Sequence, residues 1–194
     1  MTKKVLLIAL FYMSTLQLFA QEKERFMNWE FRTGLNVSNV SNMSGFAKAS
    51  IYLGVQAPMR ITKFYVLQPE ATYSRQGANK VLIGENRLNK GQLTLDYIDI
   101  TTTHRLIVKD FYFLLGNGLS ILTYSSEANI SNADLFLNLG VGYNITRKFG
   151  VEARWKVGLS DVNYLPEDSP LRDPNKGYDT NRNYNLQLGI YYQL

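Results

Sequence analysis

The feature that most constrains this chain is an alternation of polarity with a period of two residues. In the stretch VEARWKVGL, residues 151–159, every second residue is apolar, and the residues between them include Glu152, Arg154 and Lys156. Because successive side chains of a β-strand point to opposite faces, this stretch predicts a strand with one apolar and one ionic face. Eight segments follow the pattern and predict an all-β fold: NWEFRTGLNVS, SIYLGVQAPM, FYVLQPEATYS, LTLDYIDITTTHRLI, FYFLLGNGLSIL, ADLFLNLGVGYNI, VEARWKVGL and NLQLGIYYQL.

The lengths of the segments and of their connections favour a membrane barrel. Most segments exceed the 5–6 residues usual in soluble sheets, and about 9–11 tilted residues cross a bilayer. The connections RITK, VKD and TRK are tight, whereas NVSNMSG, GANKVLIGENRLN, TYSSEANIS and residues 161–182 are longer and alternate with them. Short turns at one end and long loops at the other are typical of outer-membrane barrels. We therefore predict an eight-stranded antiparallel up-and-down transmembrane β-barrel with its termini in the periplasm.

The first twenty residues predict export. Lys3 and Lys4 precede an apolar run from Val5 to about Met13, and Ala20 provides a small residue before a cleavage point. This is the layout of a secretory signal peptide. We expect residues 1–20 to be the signal peptide and residues 21–194 to be a single barrel domain in the bacterial outer membrane.

Composition excludes several classes of function. The chain is 45% hydrophobic, which is too apolar for a disordered protein, and it contains no cysteine for disulfides or thiolate metal sites. Its net charge of +5 is scattered rather than gathered into a basic stripe, so we expect no nucleic-acid partner.

Patterning alone leaves two orientations open. In a soluble periplasmic ligand-binding barrel the apolar faces would fill the interior, whereas in a membrane barrel they would meet lipid. The connection lengths favour the membrane barrel, and so do the aromatic residues beside the tight turns. These residues predict a girdle at the periplasmic boundary from Trp29, Phe31, Phe64, Tyr65, Phe111, Tyr112, Phe149, Tyr191 and Tyr192, with Tyr73, Tyr97 and Tyr124 near the other boundary.

The polar faces then define the candidate site, which is the barrel lumen. We expect it to contain seven charged residues of mixed sign, able to form ion pairs: Glu30, Arg32, Glu70, Asp99, Glu152, Arg154 and Lys156. Glycines on the same faces would make room for these charged chains: Gly34, Gly54, Gly140, Gly142, Gly158 and Gly189. A closed polar plug is the favoured interpretation, and a narrow ion path is the alternative.

Other candidate chemistry is weak. His104 is the only histidine, and it falls low on the fourth strand without a catalytic partner, so we expect no enzyme and no catalytic residue. The longest loop carries four acidic residues, Glu167, Asp168, Asp173 and Asp179, with Arg172 and Lys176 among them. That arrangement indicates a solvated loop rather than a calcium site. We expect neither a metal nor a cofactor, and this loop is the first candidate for binding a partner.

Several segments resemble a known family. FRTGLNVSNVS, FYVLQPEATYSRQGA, LDYIDI, LNLGVGYNITRKFGVEARWKVGLSDV and LQLGIYY look like the PorT-like outer-membrane β-barrel family of Bacteroidetes, whose shape is similar to OmpA and OmpX barrels. The resemblance covers about residues 28–194. It departs at Asp99 and Thr101, where the family pattern has Glu and Pro, and at the terminal Leu194, where an aromatic is usual.

The expected function is accordingly a structural or binding barrel. It would contact outer-membrane lipid and present its extracellular loops to a protein partner, and a link to a protein secretion assembly is one form that this role could take. The resemblance itself implies location and fold. The alternative is a narrow passive channel.

Overall fold

The structure is a computed structural model that describes residues 29–41, 46–83, 89–126, 130–160 and 182–194. The predicted signal peptide and the acidic residues of the longest loop (Glu167, Asp168, Asp173 and Asp179) lie outside the described residues. In the part of the chain that is described, no helix is long and apolar enough to cross a membrane.

The described residues form nine antiparallel strands. Their bounds are β1 Glu30–Val40, β2 Phe46–Gln56, β3 Met59–Arg60, β4 Tyr65–Ile83, β5 Asn89–Val108, β6 Phe111–Ser125, β7 Ala133–Asn144, β8 Phe149–Gly158 and β9 Asn183–Gln193. Strands that are neighbours in sequence pair with each other, except that β2 and β3 both pair with β4, and β1 pairs with β9 from Glu30↔Gln193 to Val40↔Asn183. That last pairing closes the sheet into a barrel.

The nine labelled strands form eight strand positions around the barrel, which we call staves, because β2 and β3 together occupy one position. Both pair with β4 in a single register, with Gln56 opposite Glu70 and Met59 opposite Leu67. The gap between them lies opposite Pro69. The Ala57 amide donates to the Pro69 carbonyl at 3.0 Å, but proline has no N–H to donate in return. The predicted local defect at Pro69 is therefore one missing ladder bond, and the fold is the predicted eight-stranded up-and-down barrel.

The polar faces point inward and the apolar faces point outward. Two neighbouring residues of β8 show this orientation, since Arg154 is 1% exposed and Trp155 is 53% exposed. The same inversion holds around the barrel, where Phe31, Leu53, Leu115, Leu139 and Leu188 are all exposed. A soluble barrel would leave this apolar surface in water, so the periplasmic ligand-binding alternative is wrong.

The hairpin formed by β4 and β5 is longer than predicted. The segment GANKVLIGENRLN was expected to be a loop, but β4 continues through it to Ile83 and β5 begins at Asn89. Gly77 has a φ of +135°, and the pairing of β4 with β5 shifts between Ala78 and Val81. A glycine at a bulge resembles a loop start in sequence, yet the ladder resumes beyond it.

The predicted aromatic girdles are only partly correct. Phe111 and Tyr192 point outward, but Tyr112 and Tyr191 are buried in the lumen, and so is Tyr97. The reason is the two-residue alternation itself, since adjacent aromatics on one strand must point to opposite faces.

Candidate functional site

Four charged side chains form a closed ring of ion pairs across the lumen. Arg32 comes from β1, Glu70 from β4, and Glu152 and Arg154 from β8. Arg32 lies 3.0 Å from Glu70 and 2.9 Å from Glu152, while Arg154 lies 2.7 Å from Glu70 and 3.0 Å from Glu152. Each carboxylate thus contacts both guanidinium groups. We call this set the ion ring.

The ion ring spans the full width of the barrel, because β4 and β8 are on opposite walls in the order of the staves. All four residues are buried. Buried charges are tolerated only when their remaining donors and acceptors are also satisfied. Two amides contribute here: Gln68 donates to Glu70 Oε1 at 2.9 Å, and Gln187 Oε1 accepts from Arg32 at 3.0 Å.

Below the ion ring, a second ion pair faces the periplasmic end. Arg105 Nη2 lies 3.1 Å from Glu30 Oε2, and the Gln56 amide donates to the same oxygen at 2.5 Å. The Arg105 guanidinium also lies over two tyrosine rings, 4.6 Å from the centroid of Tyr112 and 5.2 Å from that of Tyr191. These contacts hold the cation by charge and by cation–π attraction.

A third pair lies on the extracellular side of the ring. Lys156 Nζ is 2.7 Å from Asp99 Oδ2 and donates to Ser120 Oγ at 2.9 Å. The same ammonium lies 3.9 Å from the centroid of the Phe136 ring. The charges of these residues are therefore neutralised pair by pair along the barrel axis.

The two ends of the lumen differ. The periplasmic end holds a cavity of about 490 Å³, lined by Glu30 and Arg105 and by turn residues such as Asp110 and Arg147. Toward the extracellular end lies an apolar cluster, the apolar cap, with Leu122 and Ile130 packed against its buried members Val40, Ala78, Leu93, Leu95 and Tyr97.

Some of the lumen glycines make room for tyrosines and others for charged chains. A Cβ on Gly142 would meet the Tyr112 ring, one on Gly150 would meet the Tyr191 ring, and one on Gly189 would meet the Tyr52 hydroxyl. The expectation about charged chains is met at Gly140 and Gly158, which adjoin Arg154 and Asp134. Other glycines meet backbone or a small side chain instead: a Cβ on Gly34 would meet the Leu188 carbonyl, and one on Gly54 would meet Thr72.

All seven predicted lumen residues are buried in one polar interior: Glu30, Arg32, Glu70, Asp99, Glu152, Arg154 and Lys156. Sequence reasoning missed Arg105. It placed the glutamines Gln56, Gln68 and Gln187 on the polar faces but did not include them in the site. Arg105 was accessible to the same reasoning, since it lies six residues after Asp99 and therefore on the same face of β5.

His104 is on the other side of the wall. It points outward from β5 near the tight turn, and its Nδ1 lies 2.7 Å from the Tyr65 hydroxyl. Among the described residues, no group of three or more His, Cys, Asp or Glu side chains is placed to hold a metal ion.

Comparison with known proteins agrees with this architecture. The family model described as outer membrane protein beta-barrel domain matches residues 19–164. No curated protein matches the sequence significantly. Among solved structures, Neisserial surface protein A is 14% identical with a TM-score of 0.54, and the match covers 86% of this chain and 97% of that one.

Two further structures are similar. Ail, the attachment invasion locus protein of Yersinia pestis, is 13% identical with a TM-score of 0.48 over 86% of this chain and 98% of its own. The outer membrane enzyme PagL is 11% identical with a TM-score of 0.44 over 84% and 98%. At such identities the likeness concerns the fold alone. The family match spans most of the chain, so this protein belongs to the outer membrane protein β-barrel domain family and is located in the bacterial outer membrane.

Proposed function

We propose that this protein is a closed, non-catalytic outer-membrane scaffold whose extracellular segments bind a partner. The observation that supports it most is that two different barriers occupy the lumen in series. The ion ring joins opposite walls at 2.7–3.0 Å, and the packed side chains of the apolar cap lie toward the extracellular end.

Each barrier opposes permeation for a different reason. A solute passing the ion ring would have to separate buried ion pairs, which leaves charges uncompensated. A solute passing the apolar cap would have to push apart packed apolar side chains, which cannot replace the hydration of an ion. An eight-stranded barrel encloses room for little more than its own side chains.

The binding role is supported by the extracellular end. Residues 81–83 of β4 pair with residues 89–91 of β5, beyond the point where β2 begins opposite Asn79. The hairpin therefore extends past its neighbouring stave. Loops and hairpins on a rigid barrel are suited to recognition. The partner in this proposal is a protein bound at this end, for example a component of a secretion assembly, and outer-membrane lipid surrounds the barrel wall.

The alternative is a narrow passive channel, and one observation favours it. Buried acceptor atoms without a protein partner extend along the lumen, including Asp99 Oδ1, Asp134 Oδ2 and Asn138 Oδ1. Water molecules would satisfy these atoms, and a chain of water is a conducting path for small ions or protons.

Conductance separates the two functions. Purified protein inserted in a planar bilayer should give no unitary current steps, and Arg154→Ala should also give none because the apolar cap remains. Steps from the wild-type protein whose size changes in Arg154→Ala would favour the channel and contradict the scaffold.

A further inference from the structure

The cavity at the periplasmic end has no role in the scaffold function proposed above. Its volume of about 490 Å³ is within the range of about 300–1,000 Å³ that is usual for ligand-binding pockets. The ion ring crosses the lumen beyond it, from one wall to the opposite one. A molecule that enters from the periplasm must therefore leave by the same opening, so the cavity is suited to binding and not to transport.

Three arginines give the cavity an excess of positive charge. Arg60, Arg105 and Arg147 line it together with two acidic residues, Glu30 and Asp110. Glu30 is already paired with Arg105 at 3.1 Å. The remaining charged groups of the lining are two guanidinium groups and one carboxylate, so an anion would be attracted into the cavity.

The arginines lie on two sides of the cavity and at two depths. Arg60 of β3 pairs with Val66 of β4, which pairs with Arg105 of β5, so these three residues share the lumen face of one wall. Arg105 is 5% exposed, whereas Arg60 is exposed at the edge of its turn. Arg147 is exposed in the turn after β7, the stave opposite the one that β2 and β3 share. Two exposed guanidinium groups therefore lie on opposite sides of the mouth, and a buried one lies beyond them.

The rest of the lining is mixed in character. Val66 and Ile107 are apolar, and Asn144, Thr146 and Gln193 offer amide and hydroxyl groups. A peptide carries apolar side chains together with backbone donors and acceptors, so it can use both kinds of group, whereas a small inorganic anion would use the arginines alone. The barrel wall separates the cavity from the bilayer, which keeps a phospholipid headgroup out as long as its acyl chains stay in the membrane.

We propose that the periplasmic cavity binds a short acidic peptide segment of a periplasmic protein, with a carboxylate held between Arg60 and Arg147. A guanidinium group matches a carboxylate in shape and charge, and such charge-assisted hydrogen bonds are strong. Lys63, Lys109 and Lys148 lie in the same tight turns and add to the attraction for an anionic segment. The site is at the opposite end of the barrel from the extracellular partner and does not depend on it.

Two pools of short peptides test the chemistry of the ligand. Both are hexapeptides with mixed residues at the first four positions. One pool ends in two glutamates with a free carboxyl end, and the other ends in two glutamines with an amidated end. The immobilised barrel in nanodiscs should retain about tenfold more of the glutamate pool at about 0.15 M salt, where attraction over longer distances is largely screened.

Matched substitutions test the place of binding. Arg147→Gln and Arg60→Gln should each reduce retention of the glutamate pool about tenfold, because each removes a charge-assisted contact. Lys148→Gln and Lys63→Gln are the controls, since they remove the same charge from the same turns but neither lysine lines the cavity, and retention should change little.

A cysteine in the cavity gives an independent readout, because the chain has no other. The glutamate pool should slow maleimide labelling of Thr146→Cys, which lines the cavity, and leave that of Lys148→Cys unchanged. The heat-dependent gel shift checks that every variant is folded. The proposal is overturned if the two pools are retained equally, if the lysine controls lose as much as the arginine variants, or if acetate at the same carboxylate concentration releases the peptides.

Discussion

Replacing Arg154 by methionine tests whether the ion ring stabilises the barrel. Arg154 is 1% exposed and contacts Glu70 at 2.7 Å and Glu152 at 3.0 Å. Methionine is long and unbranched and can occupy much of the same space without charge. The substitution leaves two buried carboxylates that share a single cation, Arg32.

The expected magnitude follows from that imbalance. Removing one partner of a buried ion pair costs about 3–5 kcal/mol, mainly because the remaining charge is uncompensated. Arg154→Met should therefore raise the equilibrium constant for unfolding by about two to four orders of magnitude. The double variant Arg154→Met with Glu70→Gln restores neutrality, since Arg32 and Glu152 remain paired at 2.9 Å. It should recover most of the lost free energy.

Urea unfolding of the refolded barrel in liposomes, followed by the heat-dependent gel shift, measures these free energies. The loss should be nearly the same at about 0.1 M and about 1 M salt, because salt screens exposed charges far more than buried ones. Arg75→Met is the control: Arg75 pairs with Asp96 at 2.8 Å but is 47% exposed, so its loss should be much smaller. A single Arg154→Met variant as stable as wild type, or a double variant no better than the single one, would refute the reasoning.

Two further predictions concern the lumen. Gly142→Val places side-chain atoms where the Tyr112 ring lies and should destabilise the barrel by about 1–3 kcal/mol in the same urea assay, whereas Ala153→Val, which faces outward on β8, should have little effect. Adding Tyr112→Leu should recover part of the loss; no recovery would mean that the ring is not what Gly142 accommodates. In planar bilayers, Leu95→Ser should stay silent like the wild-type protein because the ion ring is intact, and current steps from this variant alone would show that the ring is no barrier.

For most strands the sequence alone predicted which face points inward. Alternation assigns a residue to a face by parity, and parity is unaffected by small errors in strand ends. Glu152, Arg154 and Lys156 were placed correctly for that reason. The pattern did not assign a clear polarity to the face that carries Asn117, because this residue is polar and shares the face with Phe113, Leu115 and Leu119. The structure places Asn117 outward together with those residues.

The partners of those residues were not predictable in the same way. Arg32 and Glu70 are on staves that do not pair directly, and Glu70 and Arg154 are on opposite walls. Their contacts depend on side-chain reach across the lumen and on the register of every intervening pair. The positions of the tyrosines were predicted wrongly for another reason. Tyr112 and Tyr191 are amphipathic, so a tyrosine fits a membrane boundary and a polar lumen equally well.

The most direct test of the central claim, that the apolar faces meet lipid, uses one of the two tryptophans of the chain. In a Trp29→Phe variant, Trp155 is the sole remaining indole, and it points outward next to the buried Arg154. In liposomes, lipids brominated along their acyl chains should quench Trp155 fluorescence strongly, and aqueous iodide should not. Quenching by iodide with no effect of brominated lipid would contradict the inverted barrel.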